Sequence, residues 1–267
     1  MPLNIMQRVD LLKSLGRPTI RDYIPLLFKE FTEFHGDRYY SDDPALLGGV
    51  GFFDDKPITV IAQVRGHDIE DLKRINFSMP HPEGYRKALR LVKQAEKFHR
   101  PVLCFIDTPG AFCGVGAEER GQGEAIARNL YEFMMVKTPV MSIVLGEGGS
   151  GGALAIGVSD ELAMMENALY SVISPKGFAS ILWKDGSRER EAAELIKITA
   201  EDLKSFGICD AIIAEPEGGA SKDVNLTVKN IAAWVKPTLD RLSKETPENL
   251  PEKRYQKYRK FGVFTDK

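Results

Sequence analysis

Histidine is scarce in this chain, and its placement excludes one common chemistry. The four copies, His35, His67, His81 and His99, all precede Ser150. A serine hydrolase built on a G-x-S-x-G elbow needs an acid and then a histidine after the nucleophile. Gly148-Gly149-Ser150-Gly151-Gly152 spells that elbow, but no histidine follows it. Cysteine is equally thin: Cys104, Cys113 and Cys209 make no C-x-x-C pair and no zinc spacing, and an odd count is a poor disulfide framework. Cys104 reads as a core residue of an apolar strand, and Cys113 has no base adjacent in sequence to activate it. No H-E-x-x-H, EF-hand or G-x-x-x-x-G-K-[ST] pattern occurs, so no bound metal and no P-loop are expected. No apolar run approaches the ~18 residues of a membrane span. Arg8, Asp10 and Lys13 break up the N-terminal apolar residues that a signal peptide would keep continuous, and the chain reads as cytoplasmic. A net charge of −2 and a pI near 6.2 argue against nucleic acid or an anionic membrane as the main partner.

Glycine, by contrast, is concentrated. Val140–Val158 reads VMSIVLGEGGSGGALAIGV, an apolar, β-branched run ending in five glycines within seven residues. Its expected form is strand, turn and helix, with Gly146, Gly148, Gly149, Gly151 and Gly152 in the turn and Ala153 opening the helix. A glycine turn at a helix N-terminus lets a ligand approach backbone N–H groups and supports an anion or oxyanion site. Gly146–Gly151 also satisfies the dinucleotide fingerprint G-x-G-x-x-G, with Glu166 near ribose-binding distance, but the helix before Ser159-Asp160 is too short for that fold. Glycines that merely permit tight strand-to-helix packing are the plain structural alternative.

A chain of 267 residues with 43% hydrophobic content buries a large core and suits one domain, 1–267. An N-terminal helical segment is expected over about 1–40, including an apolar helix through Phe34 with Pro25 near its start. LLGGVGFF and ITVIAQVRG, joined at Asp54-Asp55-Lys56-Pro57, read as an antiparallel hairpin, with Gly48, Gly49 and Gly51 marking a bulge or a close backbone approach. Pro82–Phe98 is an amphipathic helix with Arg86, Lys87, Arg90 and Lys93 placed outside. PVLCFID is a buried strand running into a second glycine loop, Thr108-Pro109-Gly110 through Gly114 and Gly116, followed by a helix from Ala117. Asp107-Thr108-Pro109-Gly110 spells the D-x-x-G switch of GTPases without the P-loop that switch requires. Two successive strand, glycine-loop, helix units bring both loops to one edge of the layers. Short strands over 161–166, 169–173 and 210–214 follow, with a helix over 188–206 and C-terminal helices over about 223–262. The basic and aromatic residues of 252–261 read as a solvated face or a partner surface.

Taken together, several segments resemble the carboxyltransferase α subunits of bacterial acetyl-CoA carboxylase. They are RDYIPLLFKEFTEFHGDRYYSDDPALLGGV, NFSMPHPEGYRKALRLVKQAEKF, FIDTPGAFCGVGAEERGQGEAIARNL, GEGGSGGALAIGVSD and YSVISPKGFASILWKD, with EPEGGA and KRYQKY near the end. The resemblance implies an α/β fold of the ClpP/crotonase type, a spiral of ββα units with flanking helices. It implies transfer of a carboxyl group from carboxybiotin, presented by a biotin carboxyl carrier protein and loaded by a biotin carboxylase, to acetyl-CoA, giving malonyl-CoA for fatty acid biosynthesis. No cofactor would be covalently bound by this chain. A β subunit would supply most of the acetyl-CoA pocket and the four-cysteine zinc ribbon, in a heterotetramer of two α and two β. Family members commonly carry a helical extension before the RPT segment, so this chain reads as a short variant. The family's tyrosine and proline in the second glycine loop are Phe112 and Cys113 here.

The chemistry of the loop and the resemblance converge on Gly151 and Gly152, whose amides would stabilise negative charge on the ureido oxygen as the carboxyl group leaves. Gly148, Gly149, Ser150 and Ala153 would complete the biotin-side loop, with Thr108, Pro109, Gly110, Gly114 and Gly116 in the second. The departing ureido group would take the methyl proton of acetyl-CoA, so no side-chain base is required. At Gly152 the missing side chain is expected to keep the ligand's approach open. The alternative is a stand-alone crotonase-like acyl-CoA hydratase, isomerase or decarboxylase, for which Glu118, Glu119 and Glu147 are the acids near the loops.

Overall fold

A computed structural model describes residues 3–262; the outermost residues of the expected 1–267 domain, 1–2 and 263–267, lie outside the described residues. In chain order the elements are α1 (Ile5–Lys13), α2 (Ile20–Leu27), β1 (Lys29–Glu33), β2 (Leu46–Phe53), β3 (Lys56–Gln63), α3 (Ile69–Arg74), α4 (Pro82–Lys97), β4 (Val102–Thr108), α5 (Val115–Glu119), α6 (Gln122–Met135), β5 (Val140–Gly149) and α7 (Ser150–Gly157). They continue with β6 (Glu161–Met165), β7 (Leu169–Ser171), α8 (Pro175–Trp183), α9 (Glu189–Leu195), α10 (Ala200–Ser205), β8 (Ala211–Ile213), α11 (Val224–Leu242) and α12 (Asn249–Arg259).

One sheet organises the molecule, in the order β1-β2-β3-β4-β5-β6-β8, with β7 paired to the far end of β5. β1, β2 and β3 are antiparallel; from β3 onward every pairing is parallel. The β2–β3 hairpin closes through Asp54 and Asp55, both at positive φ (49° and 59°), the conformation whose twist matches paired strands. β4 is buried along its whole length, as a strand covered on both faces must be. Alternation along β2 identifies the two covers. A Cβ at Gly48 would strike Leu91 of α4, whereas one at Gly51 would meet Phe28, which follows α2 and sets its ring 6.4 Å from that of Phe105.

Several expectations change here. The helix expected through Phe34 ends at Leu27, and KEFTE forms an edge strand instead. Its apolar spacing fits a helix, but β2 offers an unpaired edge. The glycines of β2 make room for it: a Cβ at Gly49 would lie 2.4 Å from Thr32 O and 2.5 Å from the Phe31 ring. They therefore mark close approach, while the register break falls on β1, between Lys29 and Thr32. The helix expected from Ala117 is broken at Gly121, whose φ of 83° ends α5 and starts α6. Residues 188–206 are likewise two helices; Thr199 and Asp202 form the capping box of the second.

Lys87 is not outside. It is fully buried, with Nζ 2.5 Å from Asp42 Oδ1 and 3.0 Å from Asp43 O. Nor is α12 merely a solvated face. Arg254 is 1% exposed, pairs both carboxylate oxygens of Asp160 at 2.9–3.0 Å, and donates to the carbonyls of Phe133, Met134 and Val136 at 2.7–3.0 Å. Those carbonyls end α6 without intrahelical partners, so the guanidinium serves as their cap.

Candidate active site

Parallel pairing of β4 with β5 carries both glycine loops to the same sheet edge, where Thr108 stands opposite Gly148. The glycine run is not a turn as expected. β5 continues through Gly149 because β7 supplies a second parallel partner, Glu147–Gly149 opposite Leu169–Ser171, and α7 begins abruptly at Ser150. The whole change of direction falls on Ser150, exposed and at φ 47°. A non-glycine residue there is strained by roughly 1–3 kcal/mol.

α7 has no side-chain N-cap. The N–H groups of Ser150, Gly151 and Gly152 have no carbonyl a turn behind them, which leaves donors and the positive end of the helix dipole at this point. The two expected donor glycines differ in surroundings. At Gly151 an added Cβ would make only ordinary contacts, 3.6 Å from Ile126. At Gly152 it would lie 2.4 Å from Ala111 N and 2.6 Å from Gly110 C. The bare side of Gly152 is thus filled by the second glycine loop, contrary to the open ligand approach expected from the sequence. Gly149 is similar, 2.1 Å from Pro109 O, and Gly148 faces the Tyr170 ring at 2.7 Å. Ala153 is buried.

Of the second loop, Thr108, Pro109 and Gly110 are brought against the first. The Thr108 hydroxyl lies 2.6 Å from Ser78 O and 2.7 Å from Gly110 O, which fixes the loop's path. Gly114 and Gly116 belong to the start of α5 and line neither cavity beside α7. Phe112, at a position where the family pattern has tyrosine, stacks 4.3 Å from His81, and its carbonyl accepts from Gln122 at 2.8 Å. Burial lowers the His81 pKa, and Glu83 and Arg120 act on it in opposite directions.

Polar residues, of which Gln63, Tyr85, Arg17 and Arg65 carried no sequence expectation, hold these loops in register. Gln63 of β3, fully buried, accepts from Asp107 N at 3.1 Å and donates to Gly152 O at 2.7 Å. Tyr85, kept protonated by burial, donates to the same carbonyl at 3.3 Å. Arg17 pairs with Asp107 at 2.8 Å, both buried, and Asp107 also accepts from Glu147 N at 3.2 Å. Desolvation pulls the Arg17 guanidinium down, and Asp107 more than offsets it, so its pKa is raised. Glu147 is held by Arg65 at 2.5 Å. The signal was the isolated polar letters Gln63 and Arg65 at the end of an apolar strand, which position a side chain at a sheet edge.

Among the described residues, two cavities open at Ser150. One, about 110 Å³, lies between Pro109, Glu147–Ser150 and α1. The other, about 330 Å³, is walled by Leu154, Tyr170, Val172, Leu203 and Tyr258. Such an arrangement can bind a largely apolar ring in the second cavity and stabilise negative charge at the head of α7.

The sheet and its solved neighbours define the fold, an α/β architecture of the ClpP/crotonase type. A chain of transcarboxylase 12S, crystallised with methylmalonyl-coenzyme A, superposes with a TM-score of 0.66 at 18% identity, over 89% of this chain and 45% of the other, so this chain spans less than half of it. A chain of the Pseudomonas malonate decarboxylase hetero-tetramer gives 0.66 at 16% identity, covering 79% and 85%. Residues 1–262 match the family described as acetyl co-enzyme A carboxylase carboxyltransferase-like, and the chain belongs to that family. The Clostridium acetobutylicum acetyl-coenzyme A carboxylase carboxyl transferase subunit alpha is 54% identical over 260 residues, 97% of this chain and 95% of that protein. In Natranaerobius thermophilus the similarity, again 54% over 260 residues, covers 97% of this chain and 43% of a protein named as subunits beta/alpha.

Proposed function

We propose that this chain is the α half of an acetyl-CoA carboxylase carboxyltransferase, which moves a carboxyl group from carboxybiotin on a carrier protein to acetyl-CoA and forms malonyl-CoA for fatty acid biosynthesis. The observation that carries the reading is the uncapped head of α7, open at Gly151, beside an apolar cavity that no carboxylate or histidine lines among the described residues. Glu147, in the first glycine loop, is engaged by Arg65, and Asp107 beside it by Arg17. A hydratase or isomerase would need that acid available; carboxyl transfer needs fixed N–H donors where negative charge develops.

Carboxybiotin supplies the activated carboxyl group. For this chain's own residues, the Gly151 N–H donates to the ureido oxygen, with the neighbouring Gly152 N–H beside it. Gln63 and Tyr85 hold the Gly152 carbonyl and so orient the first turn of α7. Tyr170 and the buried Leu203 wall the ring's cavity and exclude water on that side, which strengthens the donors. A β-type partner completes the acetyl-CoA side, in an assembly of two α and two β, and a biotin carboxylase recharges the carrier. The fused beta/alpha relative supports that partnership, as do the exposed apolar Val172 at the cavity and Ile181 and Leu182 on α8.

The test is carboxyl transfer by the purified chain alone and after assembly with a β-type subunit. Activity is expected only in the assembly. Full turnover of acyl-CoA substrates by the isolated chain would replace this reading with the stand-alone enzyme.

A further inference from the structure

Away from the glycine loops, a cavity of about 810 Å³ opens between α4, the start of α6 and the loop 36–41. Five arginines reach it, and three are neutralised: Arg86 by Asp37 at 2.7 Å, Arg120 by Glu83 at 2.9 Å and Arg128 by Glu132 at 2.9 Å. The other two, Arg38 and Arg90, have no carboxylate within ion-pair distance among the described residues. Both aim at one carbonyl instead, His35 O, with Arg38 Nη1 at 2.8 Å and Arg90 Nη2 at 3.3 Å; Arg90 Nη2 also reaches Gly36 O at 3.0 Å.

Two guanidinium groups that share a carbonyl repel each other without an anion between them. Among the described residues Arg90 Nε is moreover buried with no hydrogen-bond partner, an orphan donor of the kind that marks a missing ion or water. The loop that presents Arg38 is rigidly built. Asp37 Oδ1 accepts from the N–H groups of Tyr39, Tyr40 and Ser41 at 2.7–3.2 Å, and Arg38 itself is forced to φ 72°. Of the two carboxylates lining the cavity, Asp37 is already engaged and Glu124 stands on α6.

We propose that Arg38 and Arg90 form a receptor for a phosphate group on a small soluble ligand, whose body occupies the cavity beside the exposed Tyr39. Guanidinium forks match phosphate oxygens in geometry and charge. The phosphate takes the donors left free and relieves the repulsion between the two cations. Free inorganic phosphate and a nucleoside phosphate share this chemistry and are separated by experiment.

Binding of inorganic phosphate, adenosine 5′-monophosphate, adenosine and acetate is measured calorimetrically on the full chain, alone and assembled with a β-type subunit. Inorganic phosphate and the monophosphate should bind in both states, with the monophosphate tighter if a nucleoside fills the cavity; adenosine and acetate should not bind. Arg38→Gln and Arg90→Gln should each weaken binding tenfold or more, and Arg128→Gln less than twofold. In phosphate-free buffer the first two should keep or raise the unfolding midpoint, which a purely structural arginine would not do. Arg38→Gln, on an exposed loop, remains decisive if Arg90→Gln fails to fold. The proposal is overturned if neither phosphate compound binds saturably, if acetate binds as well, or if Arg128→Gln costs as much as the others. Binding that vanishes on assembly would also overturn it, making the two arginines contacts for carboxylates of the partner.

Discussion

Gly151 and Gly152 are adjacent donors with opposite tolerance for a side chain, and that contrast allows the N–H group to be separated from the packing. Gly151→Ala keeps the N–H, adds a Cβ at ordinary distance from Ile126, and gains the usual helical preference for alanine, about 0.5–1 kcal/mol. Gly151→Pro removes the N–H. In the first turn of a helix that costs no intrahelical bond, so proline is tolerated there. If the Gly151 N–H faces the developing charge, its loss should cost about 2.7–4 kcal/mol, roughly a hundred- to a thousandfold in kcat. The assay is malonyl-CoA-dependent carboxylation of a free biotin derivative by the chain assembled with a β-type subunit, paired with thermal unfolding of the same complex. The unfolding measurement detects a proline that disturbs Ser150 rather than the donor. Gly152→Ala provides the third arm: its Cβ would overlap the backbone of Gly110 and Ala111, so rate and stability should fall together, the latter by about 1–3 kcal/mol. If Gly151→Pro assembles, unfolds like Gly151→Ala and turns over within about threefold of it, the Gly151 N–H is no oxyanion donor.

Ser150→Ala should retain most carboxyl transfer, and Ser150→Gly should raise stability by roughly 1 kcal/mol by relieving the positive φ; an activity loss of about a thousandfold in Ser150→Ala would revive a covalent mechanism. Arg254→Leu leaves the buried Asp160 carboxylate and the α6 carbonyls unpaired and should cost about 3–5 kcal/mol in chemical denaturation, whereas a loss below about 1 kcal/mol would show that water replaces the guanidinium. Burial pushes the Asp43 carboxyl up to about 7 against hydrogen bonds from Ala45 N and His81 N. A raised pKa means the folded state holds the proton more tightly, so this contribution is full below about pH 4 and lost as pH rises through 7. Asp42 has the opposite sign, lowered to about 2, where burial is outweighed by Lys87, Gly36 N and His35; its contribution is lost only below about pH 4. Unfolding midpoints of Asp43→Asn should therefore flatten against wild type between pH 4 and 7, and parallel curves would refute the assignment.

What was legible in the residues themselves was local. The Asp54-Asp55 hairpin, the Thr199 capping box, the buried strand PVLCFID and the strand-to-helix change across Val140–Val158 each follow from chemistry within a few residues, because turns, caps and apolar runs carry their own geometry. The same letters also carried the resemblance to a carboxyltransferase family. Tertiary structure alone decided the rest. KEFTE became a strand because the edge of β2, bare of side chains at Gly49 and Gly51, lay beside it; apolar spacing is blind to such an edge. Lys87 and Arg254 are interior because Asp42 and Asp160 meet them there, the latter pair 94 residues apart, and no window on the sequence reports a partner at that range. The division of labour between Gly151, open, and Gly152, closed against Gly110 and Ala111, has the same origin. Two glycine loops that are remote in sequence are parallel neighbours at one sheet edge, and the residue that faces the other loop is set by the helix's rotation about its axis.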